Sequence, residues 1–282
     1  MSEGGNTSRW KMITIVVVLL LAVLVAIAEV SLWLGRHALE SDRFVLATEE
    51  VLGTRESRQV LAGYAVTAVV DELPILSVFE TAAVEVLAVA LDSSALDGIR
   101  KAAAEDIHER IITGDDSAVF VSLSPVREVV LEPISAIAPS AIELIPDELL
   151  DGIEVIEAGA LPSLRTAAAV SPWLAIVAIF FAAGLAATLI VVSPRRALAL
   201  AAVGIGIALG GLLGVAAAPI GRSVARGWAT TEFAEVLTVG IYDRLVGALL
   251  TGSIVLLAVG ALVAAGGFVW SLATSSKAQS GD

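Results

Sequence analysis

Four stretches of this chain are close to pure hydrocarbon: Met12–Leu34, Trp173–Val192, Ala197–Pro219 and Val246–Trp270. Each is near or above the roughly 20 residues that a helix needs to cross about 30 Å of bilayer core. Charge is nearly absent from all four, and Glu29 is the exception. These runs lift the hydrophobic share of the 282 residues to 57% and the mean hydropathy to +0.89. An ordinary globular domain is about 45–50% apolar.

The charges that flank the runs set an orientation. Short cytoplasmic loops collect Lys and Arg, whereas acids contribute little. Arg9 and Lys11 precede the first run, Arg195 and Arg196 separate the second from the third, and Lys277 follows the fourth. All three clusters fall on one side if the chain crosses four times. The sequence therefore predicts a multi-pass plasma-membrane protein with both termini in the cytoplasm. Its parts are a tail (1–11), span 1 (12–34), an outer domain (35–172), span 2 (173–192), a cytoplasmic loop (193–196), span 3 (197–219), an outer loop (220–245), span 4 (246–270) and a tail (271–282). Both ends read as disordered. Trp10, Trp33, Trp173 and Trp270 flank spans, at the interfacial depth that indole prefers. A rival reading takes Ala26-Ile27-Ala28 as a signal-peptidase site, which would leave three spans. The apolar run continues through Leu34, longer than a signal core of roughly 7–15 residues, which favours an anchor.

The segment from Gly35 to Pro172 carries 24 acids and 9 bases, whereas the rest of the chain has 6 acids and 8 bases. So acidic a surface repels nucleic acid and anionic lipid. Its first two-thirds read as amphipathic helices. Ser41 is a candidate N-cap for DRFVLATEEVL. TRESRQVLAGYAVTAVVDEL runs from Thr54 to the break at Pro74. LSVFETAAVEVLAVAL places Phe79, Ala83, Val86 and Ala90 at helical spacing. SALDGIRKAAAEDIHERII opens with Ser94 and Asp97 in capping-box spacing and carries Ile99, Ala103, Ile107 and Ile111 down one face. Then the period changes. AVFVSLSP and GIEVIE alternate as short strands that pair with each other. Pro125, Pro133, Pro139, Pro146 and Pro162 forbid long helices between them. The predicted fold is mainly α: a four-helix transmembrane bundle, with a mostly helical extracytoplasmic domain carrying two short strands inserted between spans 1 and 2.

In span 3, Ala202, Gly206, Gly210, Gly214 and Ala218 recur every four residues. This smooth strip lets a neighbouring backbone approach closely. Packing against span 2 or span 4 of the same chain is expected ahead of homodimerisation. Thr231–Leu245 places Phe233, Leu237, Ile241 and Leu245 on one stripe, which reads as a short amphipathic helix at the outer membrane surface. Arg222 and Arg226 precede it and are candidates to pair with acids of the outer domain.

Chemical signals are few. Glu29 is an intramembrane acid, by default a proton or ion ligand, yet it stands near enough to the outer end of its span to reach the headgroups. Glu105 and His108 have the E-x-x-H spacing of di-iron bundles, but such a site needs a second copy and two more glutamates. His108 therefore reads as an exposed helical histidine. Asp115-Asp116 has no EF-hand loop around it. No H-E-x-x-H, Walker loop or G-x-S-x-G elbow occurs. Gly252-Ser253 in span 4 has no intramembrane histidine to serve as its base. Cysteine is absent, which removes thiolate chemistry and disulfides. No enzyme activity and no cofactor are expected. The expected partners are the lipid bilayer, a second copy of the chain or an envelope protein, and no nucleic acid.

SDRFVLATEEVLGTRESRQVLAGYAVTAVVDEL, VFVSLSPVREVV, SPRRALALAAVGIGIALGGLL and IYDRLVGALLTG together resemble an uncharacterised family of actinobacterial four-span integral membrane proteins. An arginine count of 14 against 3 lysines fits the high-GC coding of such a source. The resemblance implies four spans with the large domain between spans 1 and 2. It brings no activity and no functional residues. Binding, sensing or envelope organisation through the acidic outer domain is the expected role, and a small transporter or channel component is the alternative.

Overall fold

The computed structural model describes residues 3–72, 74–115, 117–121, 153–156, 158–159, 163–229 and 231–279. The five prolines between 125 and 162, the end of the first strand pattern and Asp116 lie outside them. Among the described residues the chain is mainly helical. Helix α1 (Glu3–Trp33) continues into a single π-helical turn, Leu34–Ala38. Next come α2 (Ser41–Leu52), α3 (Arg55–Glu72), α4 (Glu80–Ala90) and α5 (Asp97–Thr113). Strands β1 (Val119–Val121) and β2 (Ile153–Ile156) pair antiparallel, Val119 opposite Ile156 and Val121 opposite Ile153, with a register shift after Val119. The chain ends with α6 (Arg165–Val192), α7 (Arg196–Trp228) and α8 (Glu232–Gln279). Four helices, α1 with its π turn, α6, α7 and α8, are long and apolar enough to cross a membrane. The chain divides into two compact units: Met1–His37 with Ala169–Ile220 and Val246–Asp282, and Ala38–Ala168 with Gly221–Leu245.

In the first unit α7 is the hub. Half of its most apolar stretch is buried, against 17–28% for the other three apolar helices. The small-residue strip explains why, and it meets α1 in addition to the expected α6 and α8. A Cβ at Gly206 would meet Leu21, one at Gly210 would meet Val25, and one at Gly214 would meet Glu29. The main partner is therefore α1, running parallel to α7 with Leu21, Val25 and Glu29 in the three notches; Ser253 of α8 shares the notch at Gly214, and Ala182 and Leu189 of α6 share a cluster with Ala202. Ala202 joins Leu21, Ala182, Leu189, Ala199 and Val203 in the same apolar cluster, and Ala218 is buried. Leu21, Val25 and Glu29 are four residues apart, as are the three glycines, so the two ladders stay in step.

Pro172 and Pro219 both sit inside helices, α6 and α7, rather than at their ends. Proline removes one N–H and crowds the carbonyl four residues back. Apolar helices tolerate this where neighbours and local adjustment satisfy the freed carbonyl. The N-terminal stretch from Glu3 and the C-terminal stretch to Gln279, expected to be disordered, are helical. Once a helix is nucleated, each further residue adds a bond at little cost. Ser193–Arg195 is the break between α6 and α7. There the Ser193 hydroxyl accepts a hydrogen bond from the Arg195 N–H at 3.3 Å, and Arg195 and Arg196 are exposed. Lys11 is exposed on α1. Arg9 belongs to the same helix, and its side chain lies outside the described set.

In the second unit α3 packs on α4 and α2 on α5. Ala62, Val66, Leu87, Leu91 and Leu96 form one core cluster. Helix α4 buries Leu87 and Ala90, and Ala83 packs on the same cluster, so Ala83 and Ala90 of the predicted stripe face inward; Val86 is half-buried, and Phe79, which precedes the helix, is exposed. Two predicted caps are absent. Ser41 is the first helical residue of α2, behind Glu40. A 3₁₀ turn over Ser94–Leu96 precedes α5, and Asp97 pairs with Arg100 instead. Thr54 does cap α3, its Oγ1 accepting from the Ser57 N–H at 3.3 Å. Gly114 closes α5 at φ +73°, the left-handed conformation that glycine adopts without strain.

The stripe expected to rest on the membrane surface is buried in this unit: Phe233 is 2% exposed and Leu237 is 1% exposed. Phe233 stacks edge-on to Tyr64 at 6.5 Å. The stripe is also the start of α8, not a separate short helix. It is amphipathic because one side meets other helices. Arg222 and Arg226 pair with Asp243 (2.9 Å) and Glu235 (2.8 Å) on α8 itself. It is Arg244 that reaches the acidic segment, pairing with Glu50.

Candidate functional site: an acid among apolar helices

Glu29 occupies the last step of the ladder between α1 and α7. Its carboxylate lies against Gly214, where a Cβ would stand 2.5 Å from Oε2, and against Gly252, where a Cβ would stand 3.1 Å from Oε1. Any larger residue at Gly214 would occupy the space of the carboxyl group. Beside Gly252, the Ser253 hydroxyl donates to Glu29 Oε1 at 2.8 Å. Ser253 is 0% exposed. Glu29 Oε2 is buried and has no hydrogen-bond partner among the described residues. Three helices thus hold one carboxyl group: α1 carries it, α7 makes room for it and α8 binds half of it.

A second set of glycines brings α8 close enough to do so. Gly204 and Gly211 on α7 face Gly260, Ala264 and Leu257 on α8, and Gly267 faces Ala201. At each of these contacts a Cβ would strike backbone atoms of the opposite helix, so the two helices touch main chain to main chain. The pairs Gly204/Gly211 and Gly260/Gly267 are each seven residues apart, two helical turns, which keeps them on one face. That spacing was a readable signal, overlooked beside the more regular strip on the neighbouring face.

Glu29 also lines a half-open cavity of about 570 Å³ between α1, α6, α7 and α8. Ile179, Val203 and Leu249 are representative of its walls, and Arg36 and His37 stand at one end. Among the lining residues Glu29 is the only acid. The volume lies in the range of about 300–1,000 Å³ usual for small-molecule sites, which are mostly apolar with a few placed polar groups. His37 Nδ1 is buried without a hydrogen-bond partner.

The other candidates are not brought together. Glu105 is exposed, while His108, expected at the surface, is 9% exposed and packs against Phe44 with ring centres 4.9 Å apart. The contact between α2 and α5 covers it. Burial pushes its imidazole below the usual histidine range, partly offset by a hydrogen bond to the Leu39 backbone. Among the described residues no group of three or more His, Asp or Glu side chains is arranged to hold a metal. Asp115 turns to Ser117, whose N–H it accepts at 3.0 Å, and this bond holds its carboxyl below the usual range.

Comparison with protein-family models, with curated proteins and with solved structures gives no match for this chain.

Proposed function

We propose that this chain is a multi-pass protein of the plasma membrane that binds a small hydrophobic molecule between its four spans. Its termini lie in the cytoplasm and its acidic helical unit on the outer side. The observation that carries this reading is the cavity lined by Glu29. Burying a carboxyl group among apolar helices is costly, and an arrangement of Ser253, Gly214 and Gly252 around it is more than lipid anchoring requires. The sequence alone directs attention to the acidic segment. There Arg58 pairs with Asp92 and Arg110 with Asp106, ordinary surface pairs worth little individually.

Trp33 lines the cavity and reports on it. In a variant whose other four tryptophans are phenylalanine, 1,4-dibromobenzene should quench Trp33 saturably. Ala183→Phe, which fills the cavity from α6, should abolish the saturable part. Quenching that never saturates, or that Ala183→Phe leaves intact, rejects the reading.

Transport is the second reading, favoured by the same acid, since ionisable groups inside spans mark ion and substrate paths. Solute or ion flux in reconstituted vesicles, lost in Glu29→Gln, would support it over binding alone.

A further inference from the structure

We infer that the cavity seats a lipid of the surrounding bilayer whose headgroup is anionic, its acyl chain along the apolar wall and its head against the Arg36 guanidinium. This inference rests on the cavity reading above and names the ligand. One face of α1 and its π turn supplies the longest wall: Leu21, Val25, Ala28, Leu32 and Arg36 line the cavity at the three- and four-residue steps that keep side chains on one helix face. Apart from Glu29 that wall is apolar as far as Trp33, and it turns basic at Arg36 and His37. Glu29 presents no unengaged oxygen to an occupant. Ser253 donates to Oε1, and Oε2 is buried against Gly214. The charge open to an occupant is therefore that of Arg36, which is exposed and has no hydrogen-bond or ion-pair partner among the described residues. Arginine grips phosphate oxygens through two parallel N–H bonds, and basic groups between membrane helices recruit anionic headgroups.

Length and charge balance agree with this occupant. From Arg36 to Leu21 the wall runs about 22 Å at 1.5 Å per residue. One leaflet is about 15 Å deep, half of a core of about 30 Å. A chain whose head rests at Arg36 thus meets wall over its whole depth. The cavity is half-open, so lipid enters without the helices parting. It lies within the first compact unit, which carries 3 acids and 6 Lys or Arg. The acids of the acidic segment begin beyond that unit, at Glu40.

The Trp33-only chain reads this out in phosphatidylcholine vesicles doped with phosphatidylglycerol or phosphatidylcholine whose acyl chains are dibrominated. Brominated phosphatidylglycerol should quench Trp33 at a mole fraction about fivefold lower than brominated phosphatidylcholine, the usual weight of one basic residue facing anionic lipid. Arg36→Gln should bring the two lipids together. Ala183→Phe, its fold checked by cooperative thermal unfolding, should also remove the preference. Equal quenching by both lipids in the unaltered chain overturns the anionic assignment, as does a preference that survives Arg36→Gln. A preference that survives Ala183→Phe belongs to lipid around the bundle and overturns the seat in the cavity. In each of these cases saturable quenching by dibromobenzene leaves the hydrophobic cavity standing, whereas its loss in the unaltered chain rejects the cavity and this ligand together. Dibromobenzene quenching retained in Arg36→Gln shows that this variant folds; should it be lost, the Ala183→Phe comparison decides.

Discussion

The hydroxyl of Ser253 meets the carboxylate of Glu29 at 2.8 Å across 224 positions of sequence. Two residues from separate apolar runs thereby form one polar contact inside the helix bundle. Its strength is measurable. Removing one partner of a buried hydrogen bond costs about 1–3 kcal/mol, whereas couplings between membrane helices average about 0.6 kcal/mol. Ser253→Ala and Glu29→Leu should each lower the unfolding temperature in detergent, and the double variant should lose less than the sum. Strict additivity in a double-mutant cycle would mean that the contact contributes nothing.

The two glycine faces of α7 should respond differently. A Cβ at Gly210 would stand 2.6 Å from Cγ1 of Val25, a side chain that can be shortened. Gly210→Leu should destabilise by about 1–3 kcal/mol, the usual cost of overpacking, and Val25→Ala should recover part of that. Gly204 faces the main chain of Ala264 and Gly260, so Gly204→Ala should cost more than Gly210→Ala, with no side-chain rescue. Equal losses at the two positions, read by thermal unfolding in detergent, would contradict this packing.

His108 predicts a dependence on acid. The unfolded chain takes up a proton near the ordinary histidine value of 6.5. The folded chain resists it because the imidazole is buried against Phe44. Stability is thus fully present above about pH 6.5 and falls as pH drops toward the lower folded value. Thermal unfolding between pH 7.5 and 5 should show this loss, and His108→Gln should flatten it. A slope unchanged by the substitution would assign the loss to other groups.

Topology is tested directly by reporter fusions. Gly114, the exposed C-cap of α5, and Ser193, in the turn between α6 and α7, should report opposite sides of the membrane. Protease added to intact spheroplasts should cut the acidic segment. Fusions reporting the same side would overturn the proposed orientation.

Much of the architecture is written locally. Hydrocarbon runs of about 20 residues, broken at Ser193-Pro194, suffice to give four long apolar helices, because backbone in lipid must hydrogen-bond to itself. The alternation around Val119 and Ile153 suffices to mark the two strands that pair. Periodicity on α7 identified a packing face at Gly206, Gly210 and Gly214. The boundaries set next to Pro172 and at Pro219 by the ends of the apolar runs are not helix ends, because both prolines lie inside continuous helices.

Sequence alone determined that Glu29 is an acid in an apolar run and that α7 carries a smooth face. Only the tertiary structure decided that this face receives α1, that Ser253 completes the contact from α8 and that a cavity opens beside the carboxyl group. The same holds for His108, whose polar neighbours along the helix suggested exposure until α2 covered it. The physical reason is common to all of these. Helical periodicity says which face of a helix is apolar or smooth, a property of residues within two turns. Which other helix fills that face depends on contacts between residues far apart in the sequence, and no local pattern encodes them.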